Sequence, residues 1–282
     1  MIAQWENKVM SSLLQFVDNK VCTKGKAFIN HAGAFYPIDN KYNGYYTYAL
    51  PYKQIVADSS IQDSIVMQGV SINGNYIEPG EAALSGNFTG IFHHKGQVLF
   101  DGDQGNASIT GNFSVKEYNV YLTTKLEEDI LFRTKHQVNP RINQSAEGLR
   151  EEEETYPAIF LRNMGGTNDP LAFGGADNVK TFARAIILSD SAFSLDAVCN
   201  ILKNTARNYL PIIETLPFNS IGAFTGVIYN YQALSSSSVE KASIWNVTVT
   251  KLMPDAKELR GLDLNAFAAL VDFEIHGFGK NN

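Results

Sequence analysis

The chain has 282 residues, of which 44% are hydrophobic and 18% charged, with a net charge of −6. That apolar content is enough to bury a core of one large or about two smaller domains, which excludes wholesale disorder. The acidic balance argues against sequence-independent nucleic-acid binding, which needs basic clusters to neutralise phosphates.

Residues 2–21 predict a helix. Ile2, Trp5, Val9, Leu13, Phe16, Val17 and Val21 recur at spacings of three and four and form one apolar stripe, with Gly25 in the C-cap region. A stripe at the start of the chain must dock on its own domain or on a neighbouring subunit. This N-terminus lacks the basic and continuous apolar regions of a signal peptide. No run approaches the roughly 20 apolar residues that span a bilayer. Synthesis and folding in a cytosol are therefore expected, with Cys22 and Cys199 as buried, reduced thiols.

Residues 25–64 place Phe35, Tyr36, Tyr42, Tyr45, Tyr46, Tyr48 and Tyr52 among Gly, Asn and Pro. Neither helical nor strand periodicity persists, so this segment is expected to be a Tyr-rich ordered loop. It is either a binding surface, since tyrosines give contact area with little rotamer loss, or a loop pinned to its own domain by ring packing.

Residues 65–132 predict short strands divided by the turn pairs Asn73-Gly74, Pro79-Gly80, Lys95-Gly96, Asp101-Gly102 and Gly111-Asn112. The runs VSING, NYIEPG, QVLFDG, ASITGNFSVKEYNVYLT and DILF fit hairpins; Tyr118, Val120 and Leu122 share one face. Residues 133–157 are polar throughout and end in Glu151–Glu154, an exposed excursion or an interdomain connection.

From 158 to 282 the pattern is α+β. AIFLRNM and KTFARAIILSD predict strands flanking the Gly-rich loop GGTNDPLAFGG. A helix is expected over about 194–210, capped by Asp190 or Ser194 and stopped by Pro211. FTGVIYNY, SIWNVTVTKLM and FAALVDFEIHGF predict further strands. The fold class is α+β: a mostly antiparallel sheet with an N-terminal amphipathic helix, one further long helix and a β-rich hairpin insertion. The segments are 1–24, 25–64, 65–132, 133–157 and 158–282, the last folding alone or together with 1–64.

The sequence contains no nucleophile elbow, P-loop, dinucleotide fingerprint, H-E-x-x-H or C-x-x-C. His93 and His94 are adjacent, so on a strand they point to opposite faces and cannot share a metal. Asp101, Asp103 and Asn106 suggest a calcium loop, but the twelfth position is Asn112 rather than Glu, so a hairpin turn is expected. No strand-to-helix transition with a following Lys supports phosphate binding at the Gly165-Gly166 and Gly174-Gly175 pairs. No metal, cofactor or catalytic residue is assigned.

The phrases KGKAFINHAGAFYPIDNKYNGYYTYALPYKQIVADSSI, GVSINGNYIEPGE and GQVLFDGDQGNASITGNFSVKEYNVYLT resemble virion structural proteins of tailed bacteriophages. The likeness covers mainly residues 24–132 and is nearest to proteins of the neck and upper tail. It implies a non-enzymatic component of an oligomeric ring at the head–tail junction, a neck protein or tail terminator. The virion is then the location, after synthesis in the host cytoplasm. The partners implied are further copies and adjacent virion proteins (connector, tail tube or sheath), with DNA as passing channel content and no membrane. Trp5, Val9 and Phe16 of the first helix and Tyr42, Tyr45, Tyr46 and Tyr48 are the expected intersubunit contacts. The alternative is a distal-tail or baseplate adaptor binding a host-surface glycan through the Tyr-rich loop. A small hydrolase with dispersed carboxylates is a further rival.

Overall fold

The computed structural model describes residues 4–136, 154–170, 177–214, 227–252 and 266–279. Among these residues the chain is α+β, with four helices and two main sheets that are mostly antiparallel. The N-terminal helix α1 runs Trp5–Gly25, and Lys26 closes it in the left-handed region at φ 48°. Val9, Leu13, Phe16, Val17 and Val21 are buried as one apolar face. The opposite, polar face is buried too, through Ser11, Ser12, Gln15, Asp18 and Asn19. The helix is thus enclosed by its own chain.

A seven-stranded sheet follows, built from β1 (Phe28–Tyr42), β2 (Tyr45–Ala49), β3 (Val70–Ile72), β4 (Asn75–Ile77), β5 (Phe88–Phe92), β6 (Gln97–Phe100) and β7 (Ile109–Lys116). Its order is β4-β3-β7-β1-β2-β6-β5. Much of the expected Tyr-rich loop is therefore a β-hairpin arm. Asn43 and Gly44 turn it with φ of 49° and 88°, the pair of positive angles that a two-residue hairpin turn requires. β1 pairs with β7 over 28–35, then with β2 from Tyr36 onward, where its register also shifts. A strand that changes partner midway carries no continuous alternation, which is why its periodicity looked broken. Asn73-Gly74 joins β3 to β4 as expected.

The second sheet has the order β13-β14-β15-β12-β11-β8. Its strands are β8 (Asn119–Leu122), β11 (Ala158–Pro170), β12 (Asp177–Ser189), β13 (Tyr209–Pro211), β14 (Lys241–Leu252) and β15 (Phe267–Gly279). Only the β8–β11 pair in it is parallel. Ile159, Leu161, Ala185, Ile187, Val271 and Phe273 face α1 and α3 (Ala192–Lys203). Ala158, Phe160, Ile186 and Leu188 face the opposite way and pack with Ile130 of α2 (Glu127–Arg133). One end of the sheet is thus buried on both sides.

Several expectations change. DILF is not a strand but the core of α2, whose first turn carries Glu127, Glu128 and Asp129 against the positive end of the helix dipole. α3 starts earlier than expected because Ser191, not Asp190 or Ser194, is its N-cap, accepting from the Ser194 N–H at 3.1 Å. It ends at Lys203 because Arg207 takes φ 68° and Tyr209 joins β13. The FTGVIYNY strand is reduced to one bridge, Tyr229 to Asp58, before α4 (Tyr231–Ser237) begins; residues 224–226 lie outside the described residues. β11 extends into the expected Gly-rich loop, 165–175, of which 171–175 lie outside the described residues, and β12 begins at Asp177, ahead of the expected Lys180. Of the 133–157 excursion, 137–153 lie outside them; its flanks, β9 (Lys135–His136) and β10 (Thr155–Tyr156), pair in parallel.

Gly277 of β15 lies under the indole of Trp5, where a Cβ would overlap the ring. Gly277→Ala should therefore destabilise the protein by about 1–3 kcal/mol, the usual cost of overpacking. Urea unfolding followed by tryptophan emission measures it, with the native emission also shifting because the Trp5 ring must move.

Candidate functional site

The structure sorts the expected contact residues by burial. Val9 and Phe16 sit in the core beneath the six-stranded sheet and cannot reach a neighbour, which corrects their assignment as intersubunit contacts. Trp5 is partly buried against the same core and over Gly277. Tyr48 is also buried and is likewise removed: its hydroxyl donates to Asp103 Oδ1 at 3.0 Å and accepts from the Gln104 N–H at 2.9 Å. Tyr46 is half-buried against the core of the seven-stranded sheet. Tyr42 and Tyr45 remain available, 40% and 36% exposed, on either side of the hairpin turn. Phe92 packs 5.6 Å from Tyr42, ring to ring, and Lys95 Nζ stands 5.4 Å above the Tyr42 ring.

A second exposed aromatic group, absent from the sequence reading, forms on the six-stranded sheet. Trp245, 47% exposed, carries the Arg207 guanidinium 4.1 Å from its ring centre. The His276 ring stacks on it at 5.1 Å and 9°, and His276 Nε2 meets Glu274 Oε1 at 2.7 Å. Trp245 occupies a bulge between Ile244 and Asn246, which re-aims its side chain. Arg207 reaches it because the α3–β13 turn folds back to bond Ile244 O. No local motif brings these residues together.

Where the two sheets meet, the chain buries a polar network. Lys116 and Asp18 are 8% and 5% exposed and pair at 2.7 Å. Gln54 Oε1 accepts from the Val120 N–H at 3.0 Å and its Nε2 donates to Val120 O at 3.0 Å. The same amide nitrogen lies 3.2 Å from His94 Nδ1, so that nitrogen is the acceptor and the proton sits on Nε2. Burial, then Lys116 and Lys95, push the His94 pKa down to about 3. Asp58 accepts from Asn19 Nδ2 at 2.8 Å, Ser60 Oγ at 2.7 Å and the Tyr231 N–H at 2.9 Å. Burial, followed by Asp18 and Asp58, raises the Tyr229 phenol well above its usual value. Asp18, Lys116, Gln54, Asp58 and Tyr229 are buried and each is held by others, so the network fastens elements together rather than presenting a reactive group. His93, as expected, faces elsewhere and meets Met67 O at 2.9 Å.

Clefts among the described residues reach the surface, and two bear on function. One of 290 Å³ lies between the sheets and is lined by His31, Tyr52, Glu117, Asp190 and Ser194. Partial burial and the neighbouring Asp190 raise the Glu117 carboxyl above its ordinary value. The other cleft, 480 Å³, has a floor of Ala32, Gly33, Ala34 and Gly111 with Tyr76, Gln68 and Asn112 at its walls. Among the described residues no cluster of three or more His, Cys, Asp or Glu is placed to hold a metal. Asp101 and Asp103 serve turns, as expected: Asp101 takes both the main-chain and side-chain N–H of Asn87, and Asp103 takes the Gly105 N–H. No protein-family model and no curated protein matches the chain.

Lys116→Met should cost about 3–5 kcal/mol because Asp18 is left buried and uncompensated. The double variant with Asp18→Asn should recover most of that loss in a urea-unfolding cycle. His94 supplies a pH signature. Between pH 6.5 and about 3 the unfolded chain binds a proton that the folded chain excludes, so stability falls as pH drops through that window. His94→Gln should flatten the slope of unfolding free energy against pH there.

Proposed function

We propose that the chain is a non-enzymatic virion structural protein of a tailed phage, forming an oligomeric ring at the head–tail junction. The observation that carries the reading is exposed aromatic surface set on rigid β elements. The Tyr42–Phe92–Lys95 group stands at the end of a hairpin arm, and the Arg207–Trp245–His276 stack stands on an open sheet face. Aromatic and Arg anchors held by packed scaffolds are the usual centres of protein interfaces. Phe193, 85% exposed at the start of α3, and Tyr209 on β13 add to this surface. With α1 committed to the core, contacts between copies pass to Tyr42, Tyr45 and these added residues. The seven-stranded unit reads as the β-rich insertion, placed between α1 and β8 and offering its arm to a neighbour.

A second reading, a distal-tail or baseplate adaptor for a host-surface glycan, draws on the 480 Å³ cleft. Its small-residue floor, the exposed Tyr76 ring and the neutral Gln68 and Asn112 amides suit a neutral sugar.

Native mass spectrometry of the purified chain tests the first reading. A closed ring is expected, and Tyr42→Ala with Tyr45→Ala should raise its dissociation constant at least tenfold while leaving the melting temperature within a few degrees. A strict monomer, with glycan-array hits abolished by Tyr76→Ala, would replace the ring with the adaptor.

A further inference from the structure

We infer that successive copies in the ring join strand to strand, the open edge of β14 in one copy pairing with the open edge of β11 in the next. This rests on the ring reading above and specifies its contact.

The six-stranded sheet ends differently at its several edges. At β8 the outer edge is closed at Val120, where the Gln54 side-chain amide accepts from the N–H and donates to the C=O, standing in for a strand. At β14 the outer edge is closed only at its beginning: β13 pairs with Lys241–Ser243, and residues 207 and 208 bond Ile244. From 246 to 252 the outer main-chain groups have no partner among the described residues. On the far side of the sheet, β8 pairs with β11 only over Ala158–Leu161, and Thr123 N–H closes Leu161 O. Among the described residues, the outer edge of β11 from 162 to 170 makes one main-chain bond, from Gly165 N–H to the Asn163 side chain. Long uncovered edges are templates for a further strand, and folded chains otherwise shorten or cover them.

The two edges fit one another. β11, β12, β15 and β14 alternate in direction, so β14 runs opposite to β11. Rotation about a ring axis keeps each copy's orientation, so β14 of the next copy meets β11 antiparallel. The contact joins two different surfaces, the head-to-tail kind that closes into a ring. Charge does not oppose it. Lys251 is paired with Asp196 at 2.6 Å and Lys180 with Asp169 at 2.5 Å, so each edge brings a compensated pair.

The stagger also fits. Register places Val249, the centre of the open β14 edge, level with Leu161, while Gly166, the centre of the open β11 edge, is level with Ile244. On β12 these levels are Ala185 and Thr181, about four residues or roughly 13 Å apart at ~3.3 Å per residue. Four strands about 4.8 Å apart span roughly 19 Å, so matching the edges tilts the strands by about 35°. Closed barrels tilt their strands by about 35–45°. The step that brings the open edges together is the step a closed sheet needs.

Hydrogen–deuterium exchange on the assembled chain and on the same chain diluted to monomer reads the contact directly. Amides in 162–170 and 246–252 should exchange at least tenfold more slowly in the ring. Cysteine pairs placed on the edges, Thr167→Cys or Asn168→Cys with Thr248→Cys or Thr250→Cys, supply a second readout, since the native Cys22 and Cys199 are buried. At least one double variant should oxidise to a ladder of covalent multimers, and each single variant should stop at dimer. A ring whose edge amides are unprotected and whose double variants give no ladder overturns the strand contact while leaving the ring. A chain that stays monomeric at every concentration, with both edges unprotected, overturns both.

Discussion

The buried ion pair between Asp18 and Lys116 joins the two layers of the molecule, for α1 is packed on the six-stranded sheet while Lys116 ends a strand of the seven-stranded one. Both charges have left water, so their attraction is strong only while the surrounding donors and acceptors stay in place. Lys116 Nζ lies 3.5 Å from Gln54 Oε1 and the Tyr229 hydroxyl donates to Asp18 Oδ2 at 3.3 Å, while further along the same helix face Asn19 and the Tyr231 N–H donate to Asp58. The polar face of α1 is thereby fixed as firmly as its apolar face. The Ser12 hydroxyl adds to this by accepting the Ile213 N–H at 2.9 Å. Among the described residues, neither amide atom of Gln15, in the same stripe, has a hydrogen-bond partner, which costs stability at that point.

Enclosing α1 has a consequence for the proposed ring. A helix buried on both faces cannot also carry a contact between copies, so in that ring the role would fall to the periphery of the sheets. Gln54 matters here a second time. Because its amide occupies the outer side of β8 at Val120, that edge is committed to the chain's own interior. Among the described residues, long stretches of β14 and of the distal half of β11 stay open. One buried glutamine thus separates the edge used for folding from the edges left for a partner.

The sequence is legible where a signal is local and fails where a partner is distant. α1 announces itself through its three- and four-residue spacing, and Asn73-Gly74 through the angles only such a pair adopts readily. β15 is legible because Val271, Phe273 and Ile275 alternate against one covered face. In β14 the sequence pattern puts Trp245, Val247 and Val249 on one face, which holds for the two valines, whereas the bulge between Ile244 and Asn246 turns Trp245 outward. The β1 arm was hidden because its halves serve different neighbours. DILF forms a helix rather than the expected strand because its three apolar residues suit a strand or one helical turn equally, and the acidic residues Glu127, Glu128 and Asp129 decide for the helix. Burial of Tyr48 depends on Asp103 and Gln104, and that of Val9 and Phe16 on strands more than a hundred residues away, such as β12 and β15. An apolar stripe looks the same whether its own sheet or a neighbour covers it. The Trp245 stack needed the β14 bulge and the α3–β13 turn, neither of which has a sequence mark.

An edge contact has an inherent weakness, because main-chain donors and acceptors repeat along a strand and allow it to slide. Here each open edge carries an irregularity close to where it opens: β14 bulges between Ile244 and Asn246, and β11 between Asn163 and Gly166. A bulge interrupts the repeat and bends its strand, so a partner strand that slides out of register no longer matches the irregularity it faces. The side chains at the bulges, Trp245 on one edge and Met164 on the other, are also exposed. In a ring joined strand to strand, the main chain sets the direction of the contact and the bulges fix its register. The aromatic residue at the β14 bulge then adds the apolar contact that an edge by itself lacks.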